Sequence, residues 1–318
     1  MKIGIIGCGA FGIALSSLFD SKDISITMWT KLEDEHEELV NNRTNSKVFD
    51  YKLNDKIKFT MILEEITLRN EALILAIPAK FLKDVILELK KYYNGQHILI
   101  ATKGMIDDNL ISNYLHDELN TEKIACISGP SFASDILKKE IIGLTLASNN
   151  VVTLDYFRCL FNDTNLVIEI AHDIIGVQLG GILKNTMAIG SGILDGIKVS
   201  NSTKAKFLTD ISKEIKKIIN NLSGDSKTFD TYSGIGDLLL TTTSYESRNY
   251  SFGLLIGEDK DFKSYLENNT VEGIENLRNI KNLLTENRIK SRIIDILFEI
   301  VYLSQPKEKI FEYLKNGN

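Results

Sequence analysis

Through the first half of the chain, short apolar runs alternate with stretches whose apolar residues recur every three or four positions. The runs Lys2–Ile6, Ile24–Trp29, Ala72–Ile77, His97–Thr102, Lys123–Ile127, Leu144–Ala147 and Leu166–Ile170 have the length and composition of strands. Between them lie amphipathic patterns such as Phe81, Leu82, Val85, Ile86 and Leu89. Such alternation predicts a doubly wound parallel sheet, with ligand-binding loops at the carboxyl ends of its strands. Pro78 and Pro130 fall just past strand ends, where those loops begin. After about Ala171 helical periodicity takes over, as in Ile211, Ile215, Ile218, Ile219 and Leu222. The expected fold class is therefore α/β. A doubly wound, mostly parallel sheet occupies residues 1–170, and an all-helical domain follows over 171–318.

One helical stretch stands apart. From Ile174 to Leu194 the only charge is Lys184, set among Gly176, Gly180, Gly181, Gly190 and Gly192 and the polar Gln178 and Asn185. Each glycine costs a helix about 1 kcal/mol relative to alanine, so close approach of another chain segment or a ligand is expected there. Burial disfavours an ammonium, and a lysine that gives up its proton can act as a general base. Two plainer readings compete: a lysine that snorkels to solvent, and a membrane span. The second is opposed by the about 2.5–3.5 kcal/mol that a central lysine costs on insertion. This helix is expected to open the second domain and to line a cleft.

Composition narrows the classes. The chain has 318 residues, 43% hydrophobic and 25% charged, which is ordinary for a globular protein of two domains. A net charge of −6 with no basic arm argues against nucleic-acid binding. Cys8, Cys126 and Cys159 are widely spaced and odd in number, which fits a reducing cytoplasm. The chain opens on a strand rather than on a signal-peptide pattern. His36, His97, His116 and His172 are scattered without metal-ligand spacing, so no metal site is expected.

The sequence Gly7-Cys8-Gly9-Ala10-Phe11-Gly12 is a GxGxxG between a strand and a helix, the setting of a Rossmann-type dinucleotide loop. Gly7 permits the tight turn, Gly9 admits a pyrophosphate, and Gly12 lets the helix pack closely. An acid that would hold the 2′-hydroxyl of NAD is expected at the end of the second strand, yet the chain reads Trp29-Thr30-Lys31. Lys31 can instead attract a 2′-phosphate, so NADP is expected to be accepted alongside NAD, with a preference for NADP left open. Ala101-Thr102-Lys103-Gly104 and Ser128-Gly129-Pro130-Ser131-Phe132-Ala133 follow further strands and bring a lysine, hydroxyls and backbone donors to the same sheet edge. Gly234-Ile235-Gly236-Asp237-Leu238 introduces a helix that carries Asp237 and, one turn on, Thr241. In a continuous helix Asp237 and Arg248 would lie about 16 Å apart. A break at Thr242-Thr243-Ser244 is therefore expected, letting Arg248 clamp a phosphate while Asp237 pairs with Lys184.

These segments, with Ser247-Arg248-Asn249 and Val271-Glu272-Gly273, occur in an order that resembles the bacterial NAD(P)-dependent sn-glycerol-3-phosphate dehydrogenases over nearly the whole length. The resemblance implies interconversion of glycerol 3-phosphate and dihydroxyacetone phosphate, with Lys184 as the proton-transfer residue and Asp237 supporting it. It implies substrate contacts from Lys103, Gly129, Ser131, Asn185, Thr241, Ser247, Arg248 and Asn249. Cofactor contacts fall to Ala10, Phe11, Lys31, Lys103, Ala133, Arg248 and Glu272, beside the glycine loop and Trp29. It also implies a cytoplasmic homodimer, not inserted in the membrane, that supplies the glycerol backbone of phospholipids. Two other readings stay open: a lysine-dependent dehydrogenase of another hydroxy acid, and a catalytically silent NADP-binding sensor. The chain departs from the family pattern at Ser202 and Asp210, where an asparagine and an arginine are usual, and at Thr186 beside Lys184-Asn185.

Overall fold

The computed structural model describes residues 1–46 and 51–316. By contact density the chain divides into two compact units. One comprises Met1–Ile106 with Ile111–Ile174, the other Asp107–Leu110 with Ile175–Asn318.

The first unit is built on strands β1 (Lys2–Ile6), β2 (Ser25–Trp29), β3 (Lys58–Thr60), β4 (Ala72–Leu75) and β5 (His97–Ile100). In chain order the short strands β6 (Met105–Ile106) and β7 (Asn109–Leu110, which belongs to the second unit) come next, followed in the first unit by β8 (Ile124–Ser128), β9 (Ile142–Ala147) and β10 (Leu166–Ala171). The main sheet has the order β10-β9-β8-β5-β4-β1-β2-β3. Strands β8, β5, β4, β1, β2 and β3 run parallel, and the sheet is mixed only where β9 turns antiparallel to β8. The seven strands expected from the sequence are all present, with ends within two residues of those read from the pattern. The edge strand β3 was not expected, because Lys58-Phe59-Thr60 is too short and too polar to register as an apolar run. Central strands such as Ala72-Leu73-Ile74-Leu75 are buried at every position, since helices cover both faces.

Seven helices accompany these strands: α1 (Ala10–Ser17), α2 (Glu33–Asn42), α3 (Leu63–Arg69), α4 (Ala79–Leu89), α5 (Ile111–Leu119), α6 (Ala133–Leu137) and α7 (Val151–Phe161). The chain order reverses between β1 and β4, which makes the carboxyl end of β1 a topological switch point. The core joins Ile3, Ile5 and Ile74 of the sheet to Ile13 and Leu15 of α1 and to Phe157 and Phe161 of α7.

The second unit is helical: α8 (Ile174–Gly196), α9 (Asn201–Asn221), α10 (Asp237–Thr243), α11 (Arg248–Gly257), α12 (Lys263–Asn268), α13 (Glu272–Glu286), α14 (Arg292–Tyr302) and α15 (Ile310–Asn316). Phe207, Ile211, Ile215 and Ile218 form the buried stripe of α9, each side chain worth about 1.5–3 kcal/mol of burial. No described helix is long and apolar enough to cross a membrane. At the departures from the family pattern, Ser202 is exposed on α9 and Asp210 pairs with Lys206 one turn earlier. Thr186 is fully buried.

Candidate active site

In the first unit β1 runs into the glycine loop and then α1. Gly7 sits at a φ of 121°, and a Cβ there would lie 2.6 Å from the Ala76 carbonyl oxygen. A Cβ on Gly12 would come within 2.1 Å of the Gly7 oxygen. The protein itself requires both glycines. Gly9 differs, because a Cβ there would meet nothing within 4 Å. Gly9 caps α1 in an extended conformation and no side chain bonds the first-turn N–H groups, while Gly9 and Ala10 are exposed and Phe11 is half-buried. A helix start of this kind, bare of side chains, fits an anionic pyrophosphate.

At the end of β2, Trp29 is buried and its indole N–H donates to the Met61 carbonyl at 3.0 Å, so it helps to hold the sheet edge together. Lys31 is exposed and makes no ion pair among the described residues. Beyond β5, the Thr102 hydroxyl donates to the Ile77 carbonyl at 2.7 Å and ties two strand ends together. Lys103 Nζ donates to the Gly129 carbonyl at 3.2 Å, and Ser131 Oγ donates to the same oxygen at 3.3 Å. Ala133 opens α6. Cys126, on the strand below, is pushed up to about 12 by burial, against a smaller opposing effect of the Lys103 charge.

In the second unit Lys184 lies midway along α8 and is buried. Its Nζ donates to Asp237 Oδ1 at 2.8 Å and to Thr241 Oγ1 at 2.7 Å. The side chain of Asp237 is 1% exposed and that of Lys184 10%, so this is a buried ion pair rather than a snorkelling lysine. The helix geometry explains the pairing. A Cβ on Gly180 would lie 2.8 Å from the Ser233 oxygen, so α8 closes on the turn before α10. Lys184 and Asp237 each lie four residues further along. That turn, Tyr232–Gly236, is a single π-helical turn, wider than the α-helix it leads into.

Gly190 and Gly192 of α8 have chain segments as their reason. A Cβ on Gly190 would meet the Phe207 ring at 2.9 Å, and one on Gly192 the Tyr250 carbonyl oxygen at 2.1 Å. Helix α10 ends at Thr243, as the predicted break requires, and Ser247 begins α11 by accepting the Tyr250 N–H on its hydroxyl at 3.2 Å. Asn249 Oδ1 accepts the Gly273 N–H at 2.8 Å, and Asn185 Nδ2 donates to Glu272 Oε2 at 3.4 Å. Residues from α8, α10, α11 and α13 thus converge around Lys184. Arg248 is exposed in the first turn of α11 with no ion pair among the described residues. No group of three or more possible metal ligands occurs among the described residues.

Comparison with known proteins shows the family of the chain. The family described as NAD-dependent glycerol-3-phosphate dehydrogenase matches with its N-terminal part over residues 2–154 and its C-terminal part over residues 173–312. The glycerol-3-phosphate dehydrogenase [NAD(P)+] of Leptospira biflexa is 31% identical, covering 98% of this chain and 96% of that protein. The chain belongs to this family. The enzyme of the same name from a Thermoanaerobacter species is 30% identical over 99% of this chain and 97% of its own length. Among solved structures, the glycerol-3-phosphate dehydrogenase of Coxiella burnetii superposes with a TM-score of 0.93 at 25% identity, covering 99% of this chain and 98% of that one.

Sequence reading missed a further cluster. Glu35, in the first turn of α2, accepts from the Thr30 hydroxyl and from Asn45 Nδ2, the latter at 2.8 Å. Asn45 also donates to the Cys8 carbonyl at 2.7 Å. The available signal was the acidic run Glu33-Asp34-Glu35 at a helix start, which reads first as a favourable interaction with the helix dipole.

Proposed function

We infer that the protein interconverts sn-glycerol 3-phosphate and dihydroxyacetone phosphate, with NAD or NADP as the redox partner. The observation that carries this reading is the buried Lys184–Asp237–Thr241 relay in a chain of this family. The nicotinamide, when bound, supplies or takes up the hydride. Lys184 Nζ hands a proton to the C2 oxygen in reduction and takes the C2 hydroxyl proton in oxidation. Asp237 and Thr241 fix the direction of two of its N–H bonds and keep the nitrogen from turning away.

The exposed guanidinium of Arg248 is suited to a phosphate, which it can grip through two parallel N–H bonds. Asn249, held by the Gly273 N–H, is oriented beside it. Lys103, Gly129 and Ser131 provide polar groups at the sheet edge of the first unit. The glycine loop and α1 hold the pyrophosphate. In this reading the first unit is the nucleotide-binding half and the second carries the proton chemistry. The intact relay weighs against a catalytically silent sensor, and a phosphate-directed arginine weighs against a plain hydroxy-acid substrate.

The family resemblance further supports a cytoplasmic homodimer that supplies phospholipid backbones, and the three free cysteines agree with a reducing compartment. Steady-state oxidation of NADH or NADPH by dihydroxyacetone phosphate tests the activity. Turnover with the triose phosphate, and none with non-phosphorylated hydroxy acids or their ketones, is the expected outcome. The reverse preference would sink the assignment.

A further inference from the structure

The end of β2 lacks the acid that NAD-selective loops place there, but the fold supplies one from elsewhere. Glu35 is half-buried. Its two oxygens accept from Thr30, the residue directly after β2, and from Asn45, which also bonds the Cys8 carbonyl of the glycine loop. The Gly7 N–H donates to the Trp29 carbonyl at 2.9 Å, so the loop and the strand end are themselves tied together. Glu35 therefore bridges the two backbone segments that flank the adenosine ribose in a loop of this type. Its charge reaches the loop: the Cys8 thiol is pushed up first by burial and then by Glu35.

Both partners of Glu35 among the described residues are neutral, and no ion pair to it occurs among those residues. A carboxylate offers about four acceptor positions, and these bonds use two. Ribose hydroxyls are the donors that suit the rest. A 2′-phosphate there would bring two anions together, relieved only by the exposed and solvent-screened Lys31.

We propose that Glu35, reaching from α2, is the ribose-facing acid of this protein, and that with Lys31 opposing it Glu35 biases the dinucleotide site toward NAD over NADP. This assignment rests on the dinucleotide site proposed above, and it corrects the preference that Lys31 alone suggests. It concerns binding and not turnover, so it is tested without substrate.

Calorimetric titration of NADH and of NADPH into the wild-type protein, Glu35→Gln and Lys31→Ala separates the possibilities. The wild type is expected to bind NADH more tightly. Glu35→Gln should narrow the NADH-to-NADPH affinity ratio by at least about tenfold, mainly by strengthening NADPH binding, because like charges are no longer juxtaposed. Lys31→Ala should weaken NADPH several-fold and leave NADH unchanged. If Glu35 only braced Thr30 and Asn45, its substitution would weaken both cofactors equally, and that result would overturn the proposal. Tighter wild-type binding of NADPH than of NADH would also overturn it, without reliance on any variant folding. A protein that binds both cofactors with the expected ratio but does not turn over triose phosphate would leave this proposal standing and remove the functional reading instead.

Discussion

Gly9 and Gly12, three residues apart in the glycine loop, should respond to the same substitution in opposite ways. In Gly12→Ala the new Cβ would stand 2.1 Å from the Gly7 carbonyl oxygen, against about 3.4 Å for an ordinary contact, so something must move by more than 1 Å. The obstacle is backbone, in a residue whose N–H is bonded to the Trp29 carbonyl, and it cannot swing aside as a side chain would. Overpacking of this kind costs about 1–3 kcal/mol. Each kcal/mol lowers the melting temperature by about 2–4 °C in a domain of about 150–250 residues. In Gly9→Ala the Cβ meets nothing, and the φ of −71° and ψ of 179° suit alanine. Alanine is a poorer N-cap than glycine by about 0.5–1 kcal/mol, and the stiffer unfolded chain returns about 0.4–1 kcal/mol, so stability should stay within about 0.5 kcal/mol. The methyl group would instead stand where the pyrophosphate approaches, with an expected loss of about tenfold or more in NADH affinity, or at least about 1.4 kcal/mol. Thermal melts and NADH titration on both variants check the pair. Wild-type NADH affinity in Gly9→Ala, or a melting temperature as low as that of Gly12→Ala, would refute the reasoning.

The three thiols should divide sharply: Cys8 and Cys126 are buried and their thiolates disfavoured by that burial, while Cys159 is exposed. Ellman's reagent should titrate one thiol per chain in the native protein and three in denaturant. His97, stacked on Tyr156 and bonded to Thr153 Oγ1, is lowered below its usual 6.5 by burial and then by Lys123. The unfolded chain then binds the proton first, so stability is full above about pH 6.5 and falls as the pH drops toward the lowered folded value. His116 is raised by hydrogen bonds to Asp117 and Glu122 and slopes the other way, although it is exposed and screened. The His97 contribution is therefore read as the difference between wild type and His97→Gln. Urea midpoints of the variant should fall less on acidification than those of the wild type, and parallel curves would contradict the assignment.

Most of the sheet and the core of the candidate site were legible because they depend on local spacing. A buried parallel strand is apolar at every position, and a GxGxxG between strand and helix has few other uses. The pairing of Lys184 with Asp237 followed from a lone charge in one apolar helix and an acid at the start of another, together with a helix end at Thr243. What the pattern did not reveal was non-local. The glycines of α8 suggested a ligand, yet Gly190 and Gly192 answer to Phe207 and to the backbone of α11, partners that no spacing within α8 identifies. Glu35 escaped notice because linear motifs look for the acid at the strand end, whereas here it stands five residues beyond Thr30 and is brought back by a helical turn. The three-residue β3 carried too little periodicity to be seen.

The central claim is that Lys184 moves the proton. Replacing it with alanine would leave Asp237 buried without its counter-charge, a change that costs about 3–5 kcal/mol for pairs of this kind, so Lys184→Gln, which keeps a donor near Asp237 and Thr241, is the better probe. The decisive measurement is the turnover number for dihydroxyacetone phosphate reduction in this variant, with NADH binding measured on the same preparation. The predicted result is unchanged NADH affinity with a turnover number lower by about 10²–10⁴-fold. Wild-type turnover in a variant that still binds NADH would contradict the account.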